Sequence, residues 1–236
     1  MQRTKPPFRA DHVGSLLRPA ALHEARAKRA GGEIGAAELE AIEDREIERV
    51  IKQQEEVGLQ SITDGEFRRS WWHLDFLWGL DGAQKHVMNS GIAFAGVTTR
   101  NEGVAVTGKL GMAGPHAMVE HYKFVAAHTK RTPKITIPAP SAIYGRPSPT
   151  PIDKKTYPTL DTFWADLGQA YRKAVRGFAD AGCRYLQLDE VFIAMLCDPK
   201  YRSQMTARGD DPEKLGPLYG DLINTAMSDI PSDMTI

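Results

Sequence analysis

The sequence predicts a parallel α/β fold of the (β/α)8 TIM-barrel type, on three observations. Strand-like and helix-like stretches alternate along the chain, the order that builds a parallel sheet with right-handed crossovers. Two places share one grammar, in which an amphipathic helix closes on glycine, an apolar strand follows and the strand ends in acids: Gly58 to Asp64 and Glu66, and Gly182 to Asp189 and Glu190. The 236 residues, 42% of them hydrophobic, suffice for one sizeable core and come near the roughly 250 typical of such a barrel. A dinucleotide-binding sheet is disfavoured because no Gly-x-Gly-x-x-Gly follows the first strand and no P-loop occurs.

Strands are expected at residues 8–14, 59–63, 104–110, 135–137 and 185–188, with a sixth opening at Met234. Residues 92–110 are expected to add a β-hairpin before or into the third strand. Helix periodicity is clearest from Leu160 through Phe163, Leu167, Tyr171, Ala174 and Phe178, with Asp161 in the first turn and Gly182 as the stop. Further helices are expected at 36–57, 115–128 and 212–230. The face of the first of these that bears Glu40, Glu43, Asp44, Arg45, Glu48, Arg49 and Lys52 is expected to be solvated. Six prolines between residues 138 and 158 mark a rigid loop rather than a domain linker, so residues 1–236 are expected to form a single domain.

Lys plus Arg and Asp plus Glu both number 30, a formal balance that favours neither nucleic acid nor an anionic membrane. Without a signal-like apolar N-terminus or an 18-residue apolar run, the expected setting is cytoplasmic and the expected partner a small molecule. Cys183 and Cys197 are not spaced as a metal knuckle or redox pair and are expected to be reduced, buried hydrophobes.

In a parallel barrel, chemistry gathers at the carboxyl ends of the strands. Asp189 and Glu190 are adjacent at one such end and should point to opposite sides, with Asp189 the inward one. The alternative for both is that they only cap the next helix or bind an arginine structurally. Asp64 and Glu66, two residues apart, either share a pocket or, for Asp64, serve a turn by accepting backbone amides. His12 and Ser15 flank Gly14 near the first strand end, where open amides suit a carboxylate or phosphate. Trp71, Trp72, His73, Phe76 and Trp78 form an aromatic cluster that either packs or stacks on a planar ligand. His116, His121 and His128 are expected on a helix outside the barrel, where a metal role is disfavoured.

Four collinear segments, Asp11-His12-Val13-Gly14-Ser15-Leu16-Leu17-Arg18-Pro19, Thr63-Asp64-Gly65-Glu66-Phe67, Ile137-Pro138-Ala139-Pro140-Ser141 and Leu186-Gln187-Leu188-Asp189-Glu190, resemble the cobalamin-independent methionine synthase family. The likeness is closest to its short, single-barrel members, which match the C-terminal catalytic half of the full enzyme. The resemblance implies a TIM barrel of the methionine synthase and uroporphyrinogen decarboxylase type, here truncated after about five βα units. It implies an S-methyltransferase in which zinc binds the thiolate of homocysteine and a methyltetrahydrofolate polyglutamate gives the methyl group. By position it makes Ser15 the holder of the amino-acid carboxylate, Glu66 and Asp189 the holders of its ammonium group, Tyr144 the neighbour of the pterin, and His12 a pocket residue. The family's His-x-Cys and later zinc ligands would follow Ile236, so no zinc ligand is expected in residues 1–236 and this chain alone is expected to be inactive. A homo-oligomer remains open. The rival readings are a zinc alkyltransferase using another thiol or an epoxide, a metal-free decarboxylase-like barrel, and a non-catalytic binding barrel.

Overall fold

The computed structural model describes residues 3–91, 93–146 and 148–236. In order the chain forms α1 (Ala20–Ala30), α2 (Ala36–Glu56), β1 (Ser61–Ile62), α3 (Leu74–Leu77), β2 (Asp81–Val87), β3 (Ala93–Phe94), β4 (Val97–Thr98), β5 (Glu102–Gly111), α4 (Met118–His128), β6 (Thr132–Pro133), β7 (Ile135–Pro138), a 3-10 turn (Pro140–Ile143), α5 (Leu160–Asp180), β8 (Leu186–Asp189), α6 (Phe192–Met195), α7 (Pro199–Arg208) and α8 (Pro212–Ala226). No helix of the described residues is long and apolar enough to cross a membrane.

The parallel part is a staggered ladder. β1 pairs with β6 through Ser61 opposite Thr132, and β7 pairs with β8 from Ile135 opposite Leu186 to Pro138 opposite Asp189. Only Lys134 separates β6 from β7, and its amide still bonds the Ile62 carbonyl, so the two behave as one strand. Beyond β8, Tyr185 bridges in parallel to Thr235. Among the described residues this ladder does not close: the fold is α/β with a parallel ladder, and a complete barrel is not observed.

Side-chain alternation gives the ladder two unlike faces. Ile62, Ile135, Ile137 and Leu186 are buried on one face. Ser61, Thr63, Lys134, Thr136, Tyr185, Gln187 and Asp189 occupy the other face, which is where the expected first strand departs from a strand. Residues 11–14 cross this polar face instead of joining its edge. The carbonyls of His12, Val13 and Gly14 accept from Lys134 Nζ, Thr136 Oγ1 and Thr63 Oγ1, so side chains satisfy the groups that a neighbouring strand would have bonded.

The expected hairpin also changes partner. β5 pairs antiparallel with β2, from Val87 opposite Glu102 to Asp81 opposite Gly111, while β3 and β4 make a separate two-residue pair inside the connection. The pairing thus begins at Asp81 rather than 92, and residue 92 lies outside the described residues. β2 is hard to see in the sequence because only Ala83 of its residues is buried. α7 was likewise hidden, since just Tyr201 and Met205 of its residues are buried.

α5 packs on α8 and β5, burying Phe163, Leu167, Tyr171, Ala174 and Phe178 in one core with Ile135, Ile137 and Leu186 of the ladder. Each large apolar side chain contributes about 1.5–3 kcal/mol by leaving water. A second cluster joins Leu22 of α1, Ile47, Val50 and Ile51 of α2, Ile62 and Phe67. Glu43 belongs to the buried side of α2, against the expectation of a solvated face, because Arg26 and Arg68 reach it at 3.5 and 3.7 Å.

Gly14 is required where residues 11–14 meet the ladder. Its φ is +136°, and a Cβ there would lie 2.8 Å from Thr136 Oγ1. Gly14→Ala should therefore lower stability by about 1–3 kcal/mol in urea unfolding. Gly114→Ala, where a Cβ meets nothing within 4 Å, should change it by less than about 0.5 kcal/mol. Equal midpoints for the two variants would contradict the close approach.

Candidate functional site

β1 ends in a turn, not in continued strand. Gly65 and Glu66 both adopt left-handed backbone, with φ of +65° and +59°. For a glutamate this costs about 1–3 kcal/mol. The turn holds because Asp64 Oδ1 accepts from the Glu66 amide at 2.8 Å and Arg18 donates to the Glu66 carbonyl at 2.8 Å. Asp64 is therefore the turn former, and Glu66 is the carboxylate aimed inward.

Glu66 meets Arg69, a residue that sequence reasoning missed. Arg69 has a side chain only 1% exposed; its Nη1 lies 3.3 Å from Glu66 Oε1 and donates to the Trp72 carbonyl, and its Nη2 donates to the Thr136 carbonyl. Burial raises the Glu66 pKa, Arg69 opposes the rise, and the charges of Asp64 and Asp189 add to it. Burial likewise raises Asp189, against the lowering effects of a 2.6 Å bond from Gln187 and the charges of Arg69 and Lys134. Glu66 and Asp189, 123 residues apart in sequence, thus share one electrostatic environment around Arg69.

Glu190 turns away from that environment. Its Oε1 accepts from the amides of Phe192 and Ile193, and its Oε2 from Ser141 Oγ, so it fastens the start of α6 to the turn after β7. Ser15 is exposed beside the rim, and the next amide, Leu16, bonds the Gly65 carbonyl at 3.0 Å. His12 is half-buried. Neither ring nitrogen has a hydrogen-bonded partner, and although the Ser61 main chain and Gln54 favour its charged form, burial outweighs them and lowers its pKa.

The lower part of the polar face carries a second cluster that sequence reasoning missed. Lys134, with its side chain 1% exposed, lies 3.2 Å from Asp11 Oδ1 and 4.8 Å from the Tyr185 ring centre. Asp11 also accepts from Ser61 Oγ and the Tyr185 hydroxyl. A lysine opening the apolar run Ile135-Thr136-Ile137 was the available signal, because a buried strand seldom holds an unpaired charge.

Tyr144 stands in a different cluster. Its hydroxyl bonds Asp210 Oδ1 at 2.6 Å, Arg208 covers its ring at 4.3 Å, and burial with the Asp210 bond pushes its pKa up to about 12. The aromatic cluster is packing in part: Trp71 Nε1 bonds Glu102 and Trp78 Nε1 bonds the Gly103 carbonyl.

Of the three histidines expected on one helix, His121 and His128 lie on α4 and His116 precedes it. His116 is buried, stacked on Phe76 at 4.4 Å with Nε2 bonded to the Phe76 carbonyl, and burial pushes His121 down to about 4; of the three, only His128 is exposed. Of the cysteines, Cys183 is buried and its thiol pushed up to about 12, whereas Cys197 is exposed, at the end of a short helix whose buried side is Phe192. No group of three or more His, Cys, Asp or Glu among the described residues is placed to hold a metal ion, so the donor set does not fit the expected zinc.

Comparison with known proteins gives consistent matches. The family model described as the catalytic domain of cobalamin-independent synthase matches residues 8–208. The uncharacterized protein YxjH of Bacillus subtilis is 44% identical over 236 residues, which is all of this chain and 62% of that protein. A crystal structure from Listeria monocytogenes, provisionally named a vitamin-B12-independent methionine synthase, is 39% identical with a TM-score of 0.80, covering 99% of this chain and 65% of that one. A 5-methyltetrahydropteroyltriglutamate–homocysteine methyltransferase of Thermosynechococcus vestitus is 41% identical over 70 residues, 30% of this chain and 9% of that one. The chain therefore spans somewhat under two thirds of the relatives that it matches throughout.

The rim also makes a pH prediction. Burial, with the Arg146 charge beside it, pushes His73 down to about 3. A histidine held neutral in the fold takes its proton only on unfolding, so its contribution is complete above about pH 6.5 and is lost as pH falls from there toward 3. His73→Gln should make this acid loss shallower by at most one proton, about 1.4 kcal/mol per pH unit. Urea titrations at pH 7, 6 and 5 check it, and parallel trends in both proteins would contradict it.

Proposed function

Because the chain belongs to the cobalamin-independent synthase family, in its catalytic-domain type, we propose that it forms the amino-acid-binding part of an S-methyltransferase acting on homocysteine or a closely similar thiol. What supports this reading is that Glu66, 3.3 Å from Arg69, and Asp189, at the end of β8, are two carboxylates that burial makes costly to ionise and that both feel the Arg69 charge. An ammonium group supplies the charge that such a pair lacks. It offers three N–H donors, enough to bond both carboxylates at roughly 2.7–3.2 Å. Arg69, fixed to two carbonyls, keeps Glu66 oriented while the amine enters and leaves. Ser15, one residue from the Leu16 to Gly65 bond, stands where the substrate's own carboxylate would be received.

Positioning of this kind is half of the reaction. A thiol resembling that of cysteine has an ordinary pKa of about 8.5 and stays mostly protonated at neutral pH, so methyl transfer needs an activating group as well. In the proposed enzyme that group is zinc, a Lewis acid that would stabilise the thiolate. Since the described residues offer no matching donor set, we assign thiol activation to a chain of the relatives' full length and derive no step on sulfur from residues 1–236. The methyl donor, a methyltetrahydrofolate in this reading, would meet Tyr144, whose ring also has Arg208 at 4.3 Å and Trp164 at 4.6 Å. Closure of the ladder into a complete barrel belongs to the same proposal.

Calorimetry with L-homocysteine and with 4-mercaptobutanoate, its analogue without the amine, tests the amine pocket. Homocysteine should bind at least about tenfold tighter. Glu66→Gln and Asp189→Asn should each weaken it by about 10- to 100-fold, the range of a charge-assisted hydrogen bond, and leave 4-mercaptobutanoate unchanged. Equal affinity of the two thiols for the unmodified chain would sink the reading.

A further inference from the structure

Arg146 is a cation without a carboxylate. No acidic group lies within 4 Å of its guanidinium among the described residues, and burial alone accounts for the lowering of its pKa. Its side-chain partner is His73, whose Nε2 receives a hydrogen bond from Arg146 Nη2. His73 is no second cation, since it remains neutral over the whole working pH range, and its ring is flanked by Trp72 at 4.4 Å and Trp71 at 6.0 Å. The Arg146 carbonyl is held in turn by Arg208 Nη1. The guanidinium is thus held through its own backbone and by one ring nitrogen, with no acid among the described residues close enough to neutralise it. Of the other half-buried cations, Arg26, Arg68 and Arg208 have acids in reach, and Arg18 and Arg131 donate to backbone carbonyls, whereas the Arg146 guanidinium has a ring nitrogen as its acceptor.

The position is on the rim already described. His73 follows Trp72, whose carbonyl accepts from the same Arg69 Nη1 that holds Glu66. On the other side, Arg146 follows the 3-10 turn whose Ser141 is bonded to Glu190, the neighbour of Asp189. Arg146 therefore lies between the loops that leave β1 and β7, near the amine pocket but on its own partners.

We propose that Arg146, braced by His73, is a binding residue for a carboxylate of an incoming ligand at this rim. The chemistry selects a carboxylate over a phosphate. A planar guanidinium matches a carboxylate through two parallel N–H···O bonds, and one positive charge balances one negative charge. A phosphate, carrying more charge, would call for further cations or a cradle of amides, whereas this site adds a neutral imidazole and indole rings. Two sources fit: the carboxylate of the acceptor amino acid, or one carried by the second substrate. The inference rests on the proposed function only for the names of those sources, because the unneutralised charge stands by itself.

The test uses the 236-residue chain, read by calorimetry and by tryptophan fluorescence, which Trp71 and Trp72 should report. The probes are glutarate, its neutral isostere glutaramide, inorganic phosphate, L-homocysteine and 3-mercaptopropylamine, which is homocysteine without its carboxylate. Glutarate should bind at least about tenfold tighter than glutaramide, Arg146→Gln should erase that difference, and Arg146→Lys should restore part of it. If Arg146→Gln also weakens homocysteine tenfold and spares 3-mercaptopropylamine, the acceptor is the source; if homocysteine is unaffected, the carboxylate comes from the second substrate. Equal binding of glutarate and glutaramide, tighter binding of phosphate, or an Arg146→Gln variant that loses charged and neutral probes alike overturns the proposal. Should Arg146→Gln fail to fold, the unmodified chain and Arg146→Lys still decide it. Glutarate has no amine, so failure of the Glu66 and Asp189 pocket would leave its result unchanged.

Discussion

Two long cations, Lys134 and Arg69, lie within the polar face of the parallel ladder, each with a side chain 1% exposed. Removing such charges from water costs several kcal/mol per ion unless partners surround them, and much of the local structure consists of those partners. Lys134 draws Asp11, the His12 carbonyl and the Tyr185 ring to the lower end of the strands. Arg69 draws Glu66 and the carbonyls of Trp72 and Thr136 to the upper end. The chain around residues 11–16 is pinned between them. It has side chains of the ladder beneath it and the Gly65 carbonyl at its end, which is why it runs across the strands.

The same constraint explains the strain at Glu66. A left-handed glutamate would be eliminated from an ordinary turn, but here the turn sets its carboxylate against Arg69 while Asp64 and Arg18 satisfy its amide and carbonyl. Asp189 comes to the same field from β8. The result is a rim with the guanidinium groups of Arg69 and Arg18, two reluctant carboxylates and, one loop away, Arg146, which has no acid in reach among the described residues. Under the proposed function, a ligand carrying both signs, as an amino acid does, would complete this arrangement of charge.

Much of this was legible in the sequence because it follows from periodicity and punctuation. The face of α5 from Phe163 to Phe178 and the glycine-strand-acid grammar at Asp64 and Asp189 are local patterns, and the structure has a helix and strands there. What was not legible depends on distance. Residues 8–14 have strand-like composition, yet their carbonyls are claimed by side chains of residues 63, 134 and 136, which no local pattern reveals. β2 is a half-exposed ribbon strand without a clear apolar alternation. Glu66 and Ser15 could be singled out from motif resemblance and Lys134 from its place at the head of an apolar run, but Arg69 and Arg146 could not, because an arginine in sequence is ordinarily a surface charge. Their burial is a property of the assembled ladder.

The central claim is that buried Arg69 and Glu66 act as one unit joining the ladder to the rim. A double-mutant cycle on unfolding free energy, with Glu66→Gln, Arg69→Met and the two together, tests it most directly. The account predicts a coupling energy of at least about 1.5 kcal/mol, the scale of a buried charge-assisted bond. Additive losses within about 0.5 kcal/mol would show that the two residues are independent and would contradict it.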